Sequence, residues 1–189
     1  MCTNKPCKYC VKIISLLPEL KYTDKILLNL GNHYRYIESN YYYKLMKKYY
    51  LIAIDKDNSS AMNNLGLYYK NIERNYDLMK KYYLMAIEKG NLFSLNYLGY
   101  YYQDVEKNYE LMKKYYLMAI EKGDSDAMNN LGYYYMKIEK NYDLMKKYYL
   151  MAIGKNEPYA MYNLGYYYGY INYNYDLMKK YYLMAIEKR

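Results

Sequence analysis

The chain repeats itself. The pair Leu-Gly falls at Leu65-Gly66, Leu98-Gly99, Leu131-Gly132 and Leu164-Gly165, each 33 residues after the last. A further copy, Leu30-Gly31, lies 35 residues before Leu65. The string Met-Lys-Lys-Tyr-Tyr starts at Met46, Met79, Met112, Met145 and Met178, again 33 apart. The first unit therefore carries two extra residues, between Gly31 and Tyr43. Five units cover residues 23–189, and residues 1–22 precede them. A period of this size restricts the fold to stacked copies of one supersecondary unit, because a single copy cannot bury its own apolar face.

Each unit reads as two helices. In the second unit, Ala61, Leu65 and Tyr69 recur at i, i+4, i+8, with Met62 and Tyr68 alongside. That spacing makes one apolar stripe on a first helix, A, over about residues 60–71. Asn75 suits the N-cap of a second helix, B, since its amide oxygen can accept from exposed backbone N–H groups. Asp77 follows in the first turn, where a carboxylate suits the positive helix end. Met79, Tyr82, Tyr83, Ala86 and Ile87 form the buried stripe of B. Gly90 ends it in the left-handed conformation, as do Gly123 one unit on and Asn156 in the next. The Gly of each Leu-Gly pair lies mid-helix, where it costs about 1 kcal/mol relative to Ala. Its recurrence points to a neighbouring helix too close for a Cβ.

The expected fold is all-α: an α-solenoid of five helix–turn–helix repeats (23–189) behind an N-terminal segment (1–22), read as a short helical cap through Val11, Ile13, Ile14, Leu16 and Leu17. Three Pro and nine Gly leave little room for a turn-rich β fold. No apolar run approaches the roughly 20 residues of a membrane-spanning helix, and Val11–Pro18, which carries Lys12, is too short for a secretory signal. Tyr reaches 37 residues, with one Phe and no Trp. Together with abundant Lys, Asn and Ile, that bias suits AT-rich coding, which discounts any argument from Tyr or Lys frequency alone.

The unit resembles the Sel1-like repeat, a relative of the tetratricopeptide repeat. The family pattern Ala-x-x-x-Leu-Gly-x-x-Tyr is met by Ala61, Leu65, Gly66 and Tyr69. Its second helix is met by Tyr82, Tyr83, Ala86 and Gly90. Ala127, Leu131, Gly132, Tyr135, Tyr148, Tyr149 and Ala152 repeat the match. Two departures stand out: the family's Gly-rich inter-helix loop is missing, which leaves the unit three residues short, and Ile87 replaces the second Ala. The resemblance implies scaffold or adaptor work through protein–protein contacts on the concave face, lined by helix A, and implies no enzymatic activity and no cofactor.

Catalytic and metal chemistry find little support. Cys7-Lys8-Tyr9-Cys10 is a Cys-x-x-Cys, but a zinc site needs about four ligands, and beyond Cys2 and the lone His33 no second pair exists. The cysteines are therefore read as reduced thiols of an intracellular, cytoplasmic protein, with no metal. One His and no phosphate-binding Gly loop leave no nucleophile–base pair.

Charge is more informative. The net charge is +9; the pairs Lys47-Lys48, Lys80-Lys81, Lys113-Lys114, Lys146-Lys147 and Lys179-Lys180 contribute +10, and the rest of the chain is nearly neutral. This ladder is expected on the solvent face of helix B, with Asp77 pairing Lys81 at i,i+4. A nucleic-acid-binding module using the ladder is the alternative reading, disfavoured because Arg, the better bidentate phosphate ligand, is nearly absent.

Helix B hardly varies between units, whereas helix A does. Its side opposite Ala61, Leu65 and Tyr69 carries columns Asn63, Asn96, Asn129 and Leu67, Tyr100, Tyr133, Tyr166. Asn offers a donor and an acceptor to an extended peptide, and Tyr gives contact area at low entropy cost. Asn63, Asn96, Asn129, Tyr100, Tyr133 and Tyr166 are thus the expected contacts for a protein or peptide partner. The last helix B keeps the interior pattern unchanged, so Tyr181, Tyr182, Ala185 and Ile186 are expected to be partly bare, and weak self-association through that helix follows.

Overall fold

The computed structural model describes residues 24–35 and 40–188. The N-terminal cap and its cysteines lie outside them. The described residues form ten α-helices, two per repeat: α1 (Asp24–Arg35), α2 (Asn40–Ile54), α3 (Ser59–Tyr68), α4 (Tyr76–Glu88), α5 (Leu92–Asp104), α6 (Tyr109–Glu121), α7 (Ser125–Tyr134), α8 (Tyr142–Ile153), α9 (Pro158–Tyr170) and α10 (Tyr175–Glu187). Odd-numbered helices are the A helices and even-numbered ones the B helices. Among the described residues no strand occurs. The chain divides into two compact units, one ending at Ser94 and one beginning at Leu95.

In the first unit, the core gathers Met46, Tyr49, Tyr50 and Ala53 of α2 with Ala61, Met62 and Leu65 of α3 and Ala86 of α4. In the second, Leu98, Met112, Tyr116, Ala119, Leu131, Met145, Tyr149, Ala152 and Leu164 are buried. Most of the expected stripe positions are therefore buried, although Tyr69, Tyr82 and Ile87 of the second repeat are only half-buried.

The mid-helix glycines meet a side chain rather than a helix backbone. A Cβ on Gly66 would lie 2.6 Å from Cδ1 of Tyr83, one on Gly99 2.5 Å from Tyr116, one on Gly132 2.6 Å from Tyr149 and one on Gly165 2.7 Å from Tyr182. Gly31 faces Tyr50 in the same way. Each repeat thus packs a Tyr ring of its own helix B against the glycine of its helix A. A second Tyr pair locks the hairpin: Tyr69 stacks on Tyr82, Tyr102 on Tyr115, Tyr135 on Tyr148 and Tyr168 on Tyr181, with ring centroids 5.5–5.7 Å apart. Much of the Tyr excess therefore has a structural use that composition conceals.

The shortened inter-helix turn is made without glycine. Helix A runs into a π-helical turn at Tyr69–Glu73 and again at Tyr135–Glu139. The chain then reverses through Arg74, Lys107, Lys140 and Tyr173, all left-handed at φ 51–58°. The N-cap amide of helix B closes the turn, as Asn75 N–H donates to the Tyr69 carbonyl at 2.9 Å. Asn75 Oδ1 in turn accepts from Leu78 N–H, and Asn108, Asn141 and Asn174 repeat that cap at 3.0–3.1 Å. At the far end of helix B, Gly90, Gly123 and Asn156 take the expected positive φ, and Asp57 does so in the first repeat.

Candidate functional site

The lysine pairs do not form one free basic stripe. Lys47 Nζ bonds Glu73 at 2.6 Å, and the Tyr68 hydroxyl donates to the same carboxylate at 2.8 Å. In the second unit Lys113 reaches Glu139 at 2.6 Å and Tyr134 donates to it at 2.8 Å. Each is a clasp from helix B of one repeat to the turn of the next. The Lys113 ammonium and the Tyr134 hydroxyl hold the Glu139 carboxyl below its ordinary value, and Glu139 holds the Lys113 ammonium above its own. Burial, reinforced by the bond to Glu139, pushes the Tyr134 phenol up to about 12. Asp77 pairs with Lys80 at i,i+3 (3.6 Å) rather than with Lys81, and Asp143 likewise pairs with Lys146. The i,i+4 expectation fails because Lys81 turns over the Tyr82 ring, 5.6 Å from its centroid, as Lys114, Lys147 and Lys180 turn over theirs. In the first four pairs the first lysine is half-buried and the second exposed, and in the fifth both Lys179 and Lys180 are exposed.

On the variable face of helix A, the six expected contacts separate. Asn63 is only 7% exposed and its amide oxygen accepts from Ser94 Oγ at 2.9 Å, which places it out of a partner's reach. Asn96 and Asn129 are half-buried and stitch neighbouring A helices together. Asn130 Nδ2 donates to Asn96 Oδ1, and Asn163 Nδ2 to Asn129 Oδ1, both at 3.0 Å. Tyr100 and Tyr133 are 44% and 42% exposed, as an accessible contact surface requires. Tyr166 is half-buried, its ring 4.9 Å from that of Tyr170.

Tyr100, Asn129 and Tyr133 come together with Gln103, Asp104 and Asn130 around a groove of about 380 Å³ in the second unit. Asp104 and Asn130 were not singled out as contacts from sequence. Asp104 interrupts the column Asn71, Asp104, Lys137, Tyr170 with an acid in an otherwise basic protein, and that is the signal that could have found it. A hydrogen bond from the Tyr100 hydroxyl to Asp104 raises the Tyr100 pKa, with the carboxylate's charge and burial adding to it. The groove holds two aromatic faces, amide donors and acceptors, and one carboxylate. That set suits recognition and lacks a nucleophile–base pair. Among the described residues no His, Cys, Asp and Glu group could hold a metal, and no helix is long and apolar enough to cross a membrane.

The fold has clear counterparts among solved structures. A Sel1 repeat protein from Oxalobacter formigenes superposes with a TM-score of 0.70 at 20% identity, over 88% of this chain and 74% of that one. A protective antigen present in uropathogenic Escherichia coli strains, described as displaying an SLR fold, gives 0.69 at 20% identity over 95% of this chain. This chain spans only 41% of that antigen's length. An immunity protein from Pseudomonas aeruginosa gives 0.62 at 24% identity over 98% of this chain and 76% of that one. No family model matches the sequence, and no curated protein matches it either. The fold is therefore that of the Sel1-like repeat proteins, an all-α solenoid, and it is carried here by sequences that have diverged to a quarter identity or less.

Proposed function

We propose that the protein is a non-enzymatic interaction scaffold that binds a protein or peptide partner on the variable face of its A helices, with Tyr100, Asn129 and Tyr133 at the centre and Asn96 and Tyr166 flanking them. The observation that carries this reading is the groove in which two half-exposed Tyr rings and several side-chain amides converge, while the B helices spend their conserved-looking pattern on packing. Tyr at a partly desolvated position is the residue type most often dominant in protein interfaces. Affinity for a purified partner tests it: Asn129→Ala and Tyr133→Ala should each cost about 1–3 kcal/mol of binding, the usual range for a central contact. Neutralising Lys114 and Lys147 should leave it nearly unchanged. The opposite pattern would favour nucleic acid or another polyanion on the lysine row.

A second reading, weak self-association, is supported by α10. Tyr181, Tyr182 and Ala185 are half-buried and Ile186 is 68% exposed, whereas Tyr148, Tyr149 and Ala152 are buried in the preceding B helix. Light scattering across micromolar to near-millimolar protein would show a rising mass that Ile186→Lys abolishes. A constant monomer mass would dismiss it.

A further inference from the structure

The A helices present successive repeats with different charges at one position. Asp104, Lys137 and Tyr170 are 33 residues apart, and so are Tyr100, Tyr133 and Tyr166. In the later of these junctions Lys137 lays its ammonium over the Tyr166 ring, 4.9 Å from the centroid. That is a built-in cation on the face of the next repeat's tyrosine. One repeat earlier the equivalent junction has Asp104 in place of the lysine, and the Tyr133 ring is 42% exposed. None of the six residues lining this groove is basic, and Asp104 forms no ion pair among the described residues.

Resting on the reading of this face as the partner surface, we propose that the Tyr100–Asp104–Tyr133 groove takes a cationic side chain of the partner, an arginine of an extended peptide. The incoming cation would occupy the place that Lys137 fills internally one repeat on. Its charge meets the Asp104 carboxylate, and its plane lies on the Tyr133 ring. A guanidinium suits both at once, because it is planar, stacks on aromatic faces and presents a fork of donors to a carboxylate. Gln103, Asn129 and Asn130 supply amide oxygens for its remaining N–H groups. An ammonium fits less well, since it is more strongly hydrated and cannot stack.

The test is a nuclear magnetic resonance titration of the full chain with the peptide acetyl-Gly-Arg-Gly-amide and with its citrulline counterpart, which keeps the shape and loses the charge. The arginine peptide should move the side-chain amide signals of Gln103, Asn129 and Asn130, and the citrulline peptide should bind about 1.5- to fivefold more weakly, as loss of one exposed ion pair implies. Asp104→Asn should remove that difference. Asp104→Lys, which copies Lys137, should abolish the shifts while leaving the circular dichroism unchanged. Equal shifts from both peptides, or shifts confined to other residues, would overturn the proposal. If Asp104→Asn keeps full affinity for the purified partner while Tyr133→Ala loses it, the cation assignment falls and the groove remains the partner surface. If both variants bind normally, the two readings fall together.

Discussion

Gly132 and Tyr149 are in direct ring-to-backbone contact: a methyl group on Gly132 would stand 2.6 Å from Tyr149 Cδ1. Tyr149 is fully buried, and burial holds its phenol well above the usual range. The ring is enclosed by the core. Alanine at 132 would gain about 1 kcal/mol of helix propensity, but overpacking of a filled core costs about 1–3 kcal/mol and more where nothing yields. Steric conflict should win, so Gly132→Ala should lower the urea midpoint. Combining it with Tyr149→Leu should lower stability by less than the sum of the two single changes. A stabilised Gly132→Ala would show that the ring moves freely.

The left-handed residues in the inter-helix turns make an opposite forecast. Lys140 holds φ 53°, a conformation that costs a non-glycine residue about 1–2 kcal/mol. Glycine there loses up to about 1 kcal/mol through the unfolded chain. Lys140→Gly should therefore raise stability by a few tenths to about 1 kcal/mol, and Lys140→Val should reduce it. Thermal unfolding of the pair would check the order.

The Lys113–Glu139–Tyr134 clasp should make stability depend on acid pH. Hydrogen bonds from Lys113 and Tyr134 depress the folded-state value of Glu139 below the ordinary 4.5. The unfolded chain therefore binds the proton more readily. The clasp's contribution is fully present above pH 4.5 and is lost as pH falls through the lower folded value. Both side chains are a quarter to a third exposed, so the contribution is screened, about 0.5–1 kcal/mol. Glu139→Gln should lower stability at pH 7 by that amount, and the gap should narrow progressively as pH falls below 4.5. A constant gap between the two proteins from pH 7 to pH 3 would place the effect elsewhere.

Local features were legible in the sequence and contacts between turns were not. Asn75 and its equivalents announced themselves as caps because an N-cap needs only the next three residues. Gly90 and Gly123 did the same for the helix ends. The stripes through Leu65 and Tyr83 followed from periodicity. The close approach of a neighbouring helix to Gly66 was legible too, but not that a Tyr83 ring makes it, because the chain pattern gives distance along a helix and not which side chain fills the gap. The Lys47–Glu73 clasp spans 26 residues and depends on how one repeat stacks on the next. That stacking is invisible in a wheel drawn for one helix, although the recurrence of Glu73, Glu106 and Glu139 at 33 residues could have suggested it. On the wheel of a single helix the Asn column faces a partner, and its hydrogen bonds to the neighbouring A helices do not show there.

The most direct measurement of the central claim is site-specific photocrosslinking. A benzoylphenylalanine placed at Tyr133 probes the A-helix groove, and one placed at Lys114 probes the exposed lysine row. With a purified partner, the account predicts a covalent adduct from position 133 that excess unlabelled protein competes away, and none from position 114. An adduct from position 114 alone would contradict it and transfer the binding surface to the B helices.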